Sequence, residues 1–170
     1  MLLKALRFVS LVCAALAFGL TLTHDLEIPG KQQLTGAEWL MVQKTFYGGF
    51  AVVGGISEIG GLLTTGFSLY LLRGRRIAFA LTGVAALSFL GMLAIFFFGN
   101  NPLNQQIATW TPDTMPANWQ ATRNAWDTYH SMSSVLAGVA LVALLLALLR
   151  DTRPSALQPA FSSPIRRGGS

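Results

Sequence analysis

Four long apolar blocks constrain this chain more than any other feature. Phe8 to Leu22 is apolar apart from Ser10 and Thr21, and Met1 to Leu6 extends it with Lys4 able to snorkel. Phe46 to Leu72 is interrupted by one charge, Glu58; Ile77 to Gly99 and Ser131 to Leu149 carry none. A helix rising about 1.5 Å per residue needs roughly 20 residues to cross the hydrocarbon, and each block can reach that length. In lipid the backbone must satisfy its own hydrogen bonds, so blocks this long are expected to be helices. No proline falls inside them, and the alternation of a membrane barrel is absent. The expected fold is therefore all-α, with spans over about 5–23, 46–72, 77–99 and 131–149.

Composition agrees. Only 11% of the 170 residues are charged, against roughly 25% in a soluble domain. The net charge of +5 would suit nucleic acid, but its distribution argues for topology instead. Lys4 and Arg7 precede the first span, Arg73, Arg75 and Arg76 separate the second from the third, and Arg150, Arg153, Arg166 and Arg167 follow the fourth. Nine of twelve basic residues thus share one side, leaving Lys31, Lys44 and Arg123 on the other. The positive-inside rule makes the nine-residue side cytoplasmic. The expectation is an antiparallel four-helix bundle in a bacterial cytoplasmic membrane, with both ends inside, membrane lipid as its surroundings and no nucleic-acid partner. One domain, 1–150, would hold the spans, and 151–170, rich in Pro, Ser, Gly and Arg, reads as a disordered cytoplasmic tail. Lys4, Arg7 and Ala15-Leu16-Ala17 also fit a cleavable signal peptide, but the apolar run continues past that site, which favours a retained anchor. Cys13 is the only cysteine, so an intrachain disulfide or a Cys-based metal cluster is excluded.

The Arg73-to-Arg76 turn permits only a tight helical hairpin. The outer loops, about 23–45 and 100–130, hold most of the chemistry. Turns are marked at Thr111-Pro112-Asp113 and Met115-Pro116, and Asn118 is a plausible cap for a helix running unbroken into the last span. The second span has a glycine rhythm: Gly48-Gly49, Gly54-Gly55, Gly60-Gly61 and Gly66. A six-residue step advances about 240°, so these glycines face several neighbours, as in a helix central to the bundle. They serve either close helix contact or a slot for a flat ligand.

Glu58 sits near mid-span, where a carboxyl group must be neutral, paired or turned to a polar cavity. It is a proton acceptor, a ligand contact, or an acid hydrogen-bonded to a neighbouring helix. The fullest constellation is Trp119, Arg123, Trp126 and His130. At 100° per residue these spacings of four, three and four fall in one arc of roughly 60°. They offer two aromatic faces, a fixed cation and a group titrating near neutrality. Arg123 would stabilise an oxyanion and His130 exchange a proton; the alternative is an interfacial anchor. His24 closes the first span on the same side, as a helix-end cap or, with His130 and a carboxylate, a metal ligand; no local ligand spacing supports metal, and none is assigned. Asn101, Pro102 and Asn104 form an Asn-rich bend, with Asn104 placed to hold Arg123 or a ligand oxygen. Phosphate loops, nucleophile elbows and haem motifs are absent.

Pro102-Leu103-Asn104, Ile107 and Trp110, followed by Trp119, Arg123, Trp126 and His130, resemble the anthrone-oxygenase-like family of small four-helix membrane proteins. The likeness covers the topology, with recognisable motifs from Pro102 to Ser133. That family usually has Arg three residues after the His; Ser133 stands here. The resemblance implies oxidation of a hydroxylated polycyclic aromatic to a quinone by dioxygen, without a defined cofactor. A small apolar aromatic would stack on Trp119 or Trp126 beside Trp110, Asn101 and Asn104. His130 or His24 would withdraw a proton, with Glu58 as a further acceptor and Arg123 opposite the developing charge. Two other classes stand beside it. A small-molecule carrier would rest on Glu58 and the glycine-rich span and would require a homo-oligomer, since four helices are few for alternating access. A subunit of a membrane complex has no positive signal.

Overall fold

The computed structural model describes residues 1–151, and no strand occurs among them. Six α-helices follow in order: α1 (Leu2–Lys31), α2 (Gly36–Phe46), α3 (Gly48–Leu71), α4 (Arg76–Ile95), α5 (Asn101–Ala108) and α6 (Trp119–Asp151). A π turn, Phe96–Asn100, joins α4 to α5 without a break. Four stretches are long and apolar enough to cross a membrane: Leu2–Lys31, Gly48–Leu71, Arg76–Ala108 and Trp119–Arg150. The tail expected to be disordered lies, beyond Asp151, outside the described residues.

The helices overrun the apolar blocks. α1 continues past Thr23 to Lys31 and carries Pro29 in its last turn. The segment read as an open loop also holds α2, whose start is fixed by a capping box. The Thr35 hydroxyl accepts from the Glu38 backbone N–H, while the Glu38 carboxylate accepts from the Thr35 N–H at 2.8 Å. Those bonds hold the Glu38 carboxyl below its usual range. The Asn-rich bend is likewise helical. Pro102 stands in the first turn of α5, directly after the π turn, where the ring's missing N–H falls at the irregularity in the helical hydrogen bonding.

α1 packs against α3 and α6, and α4 packs against the same two helices. Small residues make these approaches close: Ala14 and Ala17 on α1, Ala85 on α4, and Ala137 and Ala140 on α6 are buried together around Phe89 and Met92. Gly61 is essential to this layer. A Cβ there would lie 2.2 Å from the Phe89 ring, so the missing side chain is the space the ring occupies. Hydroxyls inside the spans donate to carbonyls one turn back, as Thr65 does to Gly61 at 2.7 Å. Ser10 also donates across to Thr64 at 2.9 Å, tying α1 to α3.

α3 is not the central helix that its glycine rhythm suggested. It is the least buried of the four long helices, with Val52, Ile56, Leu63 and Phe67 facing outward. At the end away from Arg73–Arg76, the helices are capped by an aromatic cluster of Trp39, Leu40, Tyr47, Ile107, Trp110 and Trp126. Lys44 closes that cap from α2, donating to the carbonyls of Ala108 at 3.2 Å and Trp110 at 2.6 Å.

Candidate functional site

Beneath the aromatic cap lies a cavity of about 370 Å3, within the usual range for small-molecule sites. Its α3 wall is made by Tyr47, Phe50, Ala51, Gly54, Gly55, Glu58 and Ile59, a three-and-four spacing that keeps one helix face inward. A Cβ on Gly54 or Gly55 would meet nothing within 4 Å, so here the glycines leave open space instead of admitting a neighbour. Opposite stand Thr21 and His24 of α1, Phe96 and Phe97 of the π turn, and Trp126 and His130 of α6. The π turn matters because its extra residue rotates the Asn100 side chain into the interior, where it is 3% exposed.

His24 and His130 meet edge to face, with ring centroids 4.4 Å apart. His130 leans on the Trp126 ring at 3.9 Å, and Trp126 stacks on Tyr47 at 5.5 Å. The Asn100 amide nitrogen lies 2.7 Å from Nδ1 of His130, and the Trp126 carbonyl lies 3.0 Å from the same nitrogen. With Nδ1 accepting from Asn100, the neutral ring carries its proton on Nε2; in the other tautomer Nδ1 donates to the carbonyl. Either tautomer thus has a partner, and the ring can take or give a proton at Nε2 without leaving Nδ1 unsatisfied. His24 Nδ1 has no hydrogen-bond partner, its nearest carboxylate oxygen being Glu27 Oε2 at 3.7 Å. Gln43, also in the cavity wall, keeps its Nε2 buried and without an acceptor. It is a free donor for a ligand oxygen.

A charged layer roofs the imidazoles. Lys31, 4% exposed, lies between Glu27 at 3.5 Å and Asp127 at 3.6 Å, with its ammonium 4.8 Å from the Trp126 ring centroid. Tyr47 donates its hydroxyl to Glu27 at 2.6 Å, and Ser131 donates to Asp25 at 2.5 Å. The roof therefore joins the end of α1 to α6 and to the start of α3 through charge-assisted bonds.

The residues singled out from sequence divide. His24, His130, Trp126, Asn104 and Glu58 line this cavity together. Asn104 accepts from Trp126 Nε1 at 2.8 Å and so fixes the indole, not Arg123. Trp119, Arg123, Trp110 and Asn101 do not line it. Trp119 packs on Trp39 at 5.5 Å, Trp110 lies 6.5 Å from Trp39, and the Arg123 guanidinium stands over the Trp119 ring at 5.2 Å. The four-residue row is thus continuous along α6 but changes neighbours halfway, because the cap closes over the cavity between Arg123 and Trp126. Lys31, Glu27, Asp127, Tyr47, Asn100 and Gln43 went unread. Of these, Tyr47 was detectable, since it falls on the Gly54–Gly55–Glu58 face; Asn100 was not, because the π turn decides which Asn points inward.

Among the described residues, no three His, Cys, Asp or Glu side chains gather to hold a metal ion. No family model matches the chain, and neither the curated proteins nor the solved structures compared with it contain a match.

Proposed function

We propose that this chain is a multi-pass protein of a bacterial cytoplasmic membrane, an antiparallel bundle with both ends inside, whose cavity takes a small hydroxylated aromatic from the bilayer and oxidises it to a quinone. The observation that carries the reading is the contact of His24 and His130 at the wall of an apolar, aromatic-lined cavity. The asymmetry of Arg73, Arg75 and Arg76 against the tryptophan-rich end supports the orientation. The sequence resemblance supports the reaction class.

A flat substrate lies along the bare backbone of Gly54 and Gly55 with its hydroxyl or enolisable carbonyl toward the imidazoles. In the tautomer whose Nδ1–H donates to the Trp126 carbonyl, His130 Nε2 accepts a proton, making the ring system an electron-rich anion that reacts with dioxygen. For an anthrone, the methylene loses two hydrogens and gains one oxygen atom of dioxygen, while the other leaves as water. The oxyanion role first read for Arg123 falls instead to the free Gln43 amide, because Arg123 does not reach the cavity.

Purified protein in lipid nanodiscs, supplied with an anthrone in air, should accelerate quinone formation measured by absorbance. His130→Ala should lower the rate about 100-fold or more, the scale of a lost acid–base group, whereas Arg123→Ala should leave it within a few-fold. Unchanged turnover in His130→Ala removes the reading. A carrier is the second reading, favoured by Glu58 in the cavity wall, and it requires oligomers. Ligand flux into liposomes, abolished in Glu58→Gln, would put it ahead.

A further inference from the structure

We infer that the cavity is bipolar and selects ligands with two separated polar groups, one at the His24–His130 end and a hydrogen-bond donor at the Glu58 end; this rests on the reading above. Phe50 meets His24 at 5.3 Å, which fixes the level of the imidazoles on α3. Glu58 comes eight residues later on the same face, about 12 Å along the helix axis. Both positions border the same cavity, and between them the wall is Ala51, Gly54 and Gly55, with Leu93, Phe96 and Phe97 also lining the space.

The α3 wall carries no polar side chain in this interval, and the Thr21 hydroxyl on the α1 side donates to the Ala17 carbonyl of its own helix. Each Gly54 or Gly55 Cβ position is open for 4 Å, so a flat ring system can run the full length against α3. The Glu58 carboxyl has no hydrogen bond or ion pair within the described residues, although every other carboxylate of α1 and α6 beside the cavity mouth has one: Asp25 with Ser131, Glu27 with Tyr47, and Asp127 with Lys31. A carboxyl group at mid-span without a protein partner is costly unless something in the cavity meets it. A ligand hydroxyl or a protonated amine supplies the same need, a donor to carboxyl oxygen. A ligand with a single polar end would satisfy the imidazoles and leave Glu58 unmet.

The test uses the full chain in lipid nanodiscs and three anthracene phenols: one with a single hydroxyl, one with a second hydroxyl on the far ring, and one with an aminomethyl group there. Binding is read by quenching of tryptophan emission. In the wild type each far-ring donor should tighten binding about tenfold over the single phenol, the scale of one added hydrogen bond. Glu58→Ala should erase that ratio. Glu58→Gln should keep it for the hydroxyl and lose it for the amine, which identifies the donor. His130→Ala should weaken all three probes equally and leave the ratio intact. A wild type without the ratio, or a ratio that persists in Glu58→Ala, overturns the inference, and a His130-dependent single phenol would show that the first reading still stands. If no phenol binds, both fall.

Discussion

The two ends of the packed helices solve opposite problems with the same residue type. Toward Arg73–Arg76, Gly61 is filled by the Phe89 ring, and alanines of α1, α4 and α6 close the interior. Toward the tryptophan end, Gly54 and Gly55 face nothing, and the interior opens into the cavity lined by His24, His130 and Glu58. A glycine in a span is therefore not a packing signal in itself. What its neighbour does with the missing side chain decides whether it builds a core or a site.

The comparison can be broken at its strongest point first. Lys31→Met removes the buried cation of the roof and leaves Glu27 beside Asp127. It should cost about 3 kcal/mol, the low end for a broken buried pair, because Glu27 is 37% exposed and partly screened. A thermal melt in detergent checks this; an unchanged melt would mean that the roof is not structural. Next, Gly61→Ala should destabilise by about 2 kcal/mol through overpacking against Phe89, whereas Gly55→Ala should leave the melt unchanged within about 0.5 kcal/mol and weaken binding of a flat probe. Equal melts for the two variants would erase the distinction between the ends. The smallest effect is expected for Asn104→Ala, which removes the exposed acceptor of the buried Trp126 Nε1 and should cost about 1 kcal/mol. Its sharper readout is Trp126 mobility, by nanosecond fluorescence anisotropy.

Much of the frame was legible and the site only in part. The blocks gave four helices of spanning length, and the α6 row stands on one continuous helix, but only Trp126 and His130 of its four residues line the cavity. Thr35-x-x-Glu38 announced α2 as a capping box but was passed over within a presumed loop. The end of apolarity suggested that α1 stops near residue 23, yet the helix runs to Lys31, where the roof contacts of Glu27 and Lys31 hold it. Arg123 and Trp119 were credited to the site because angular phase on a helix is readable, while depth beneath a cap is not.

By itself the sequence determined how the chain is divided into long apolar helices and which end carries the charge. Those properties follow from hydrophobicity and backbone hydrogen bonding, both local in the chain. Only the tertiary structure decided which half of the α6 row reaches the cavity, that Asn100 and not Asn101 holds His130, and that His24 is its neighbour. These depend on a π turn and on contacts between residues far apart in sequence, up to the 106 positions separating His24 from His130, and no local periodicity encodes them.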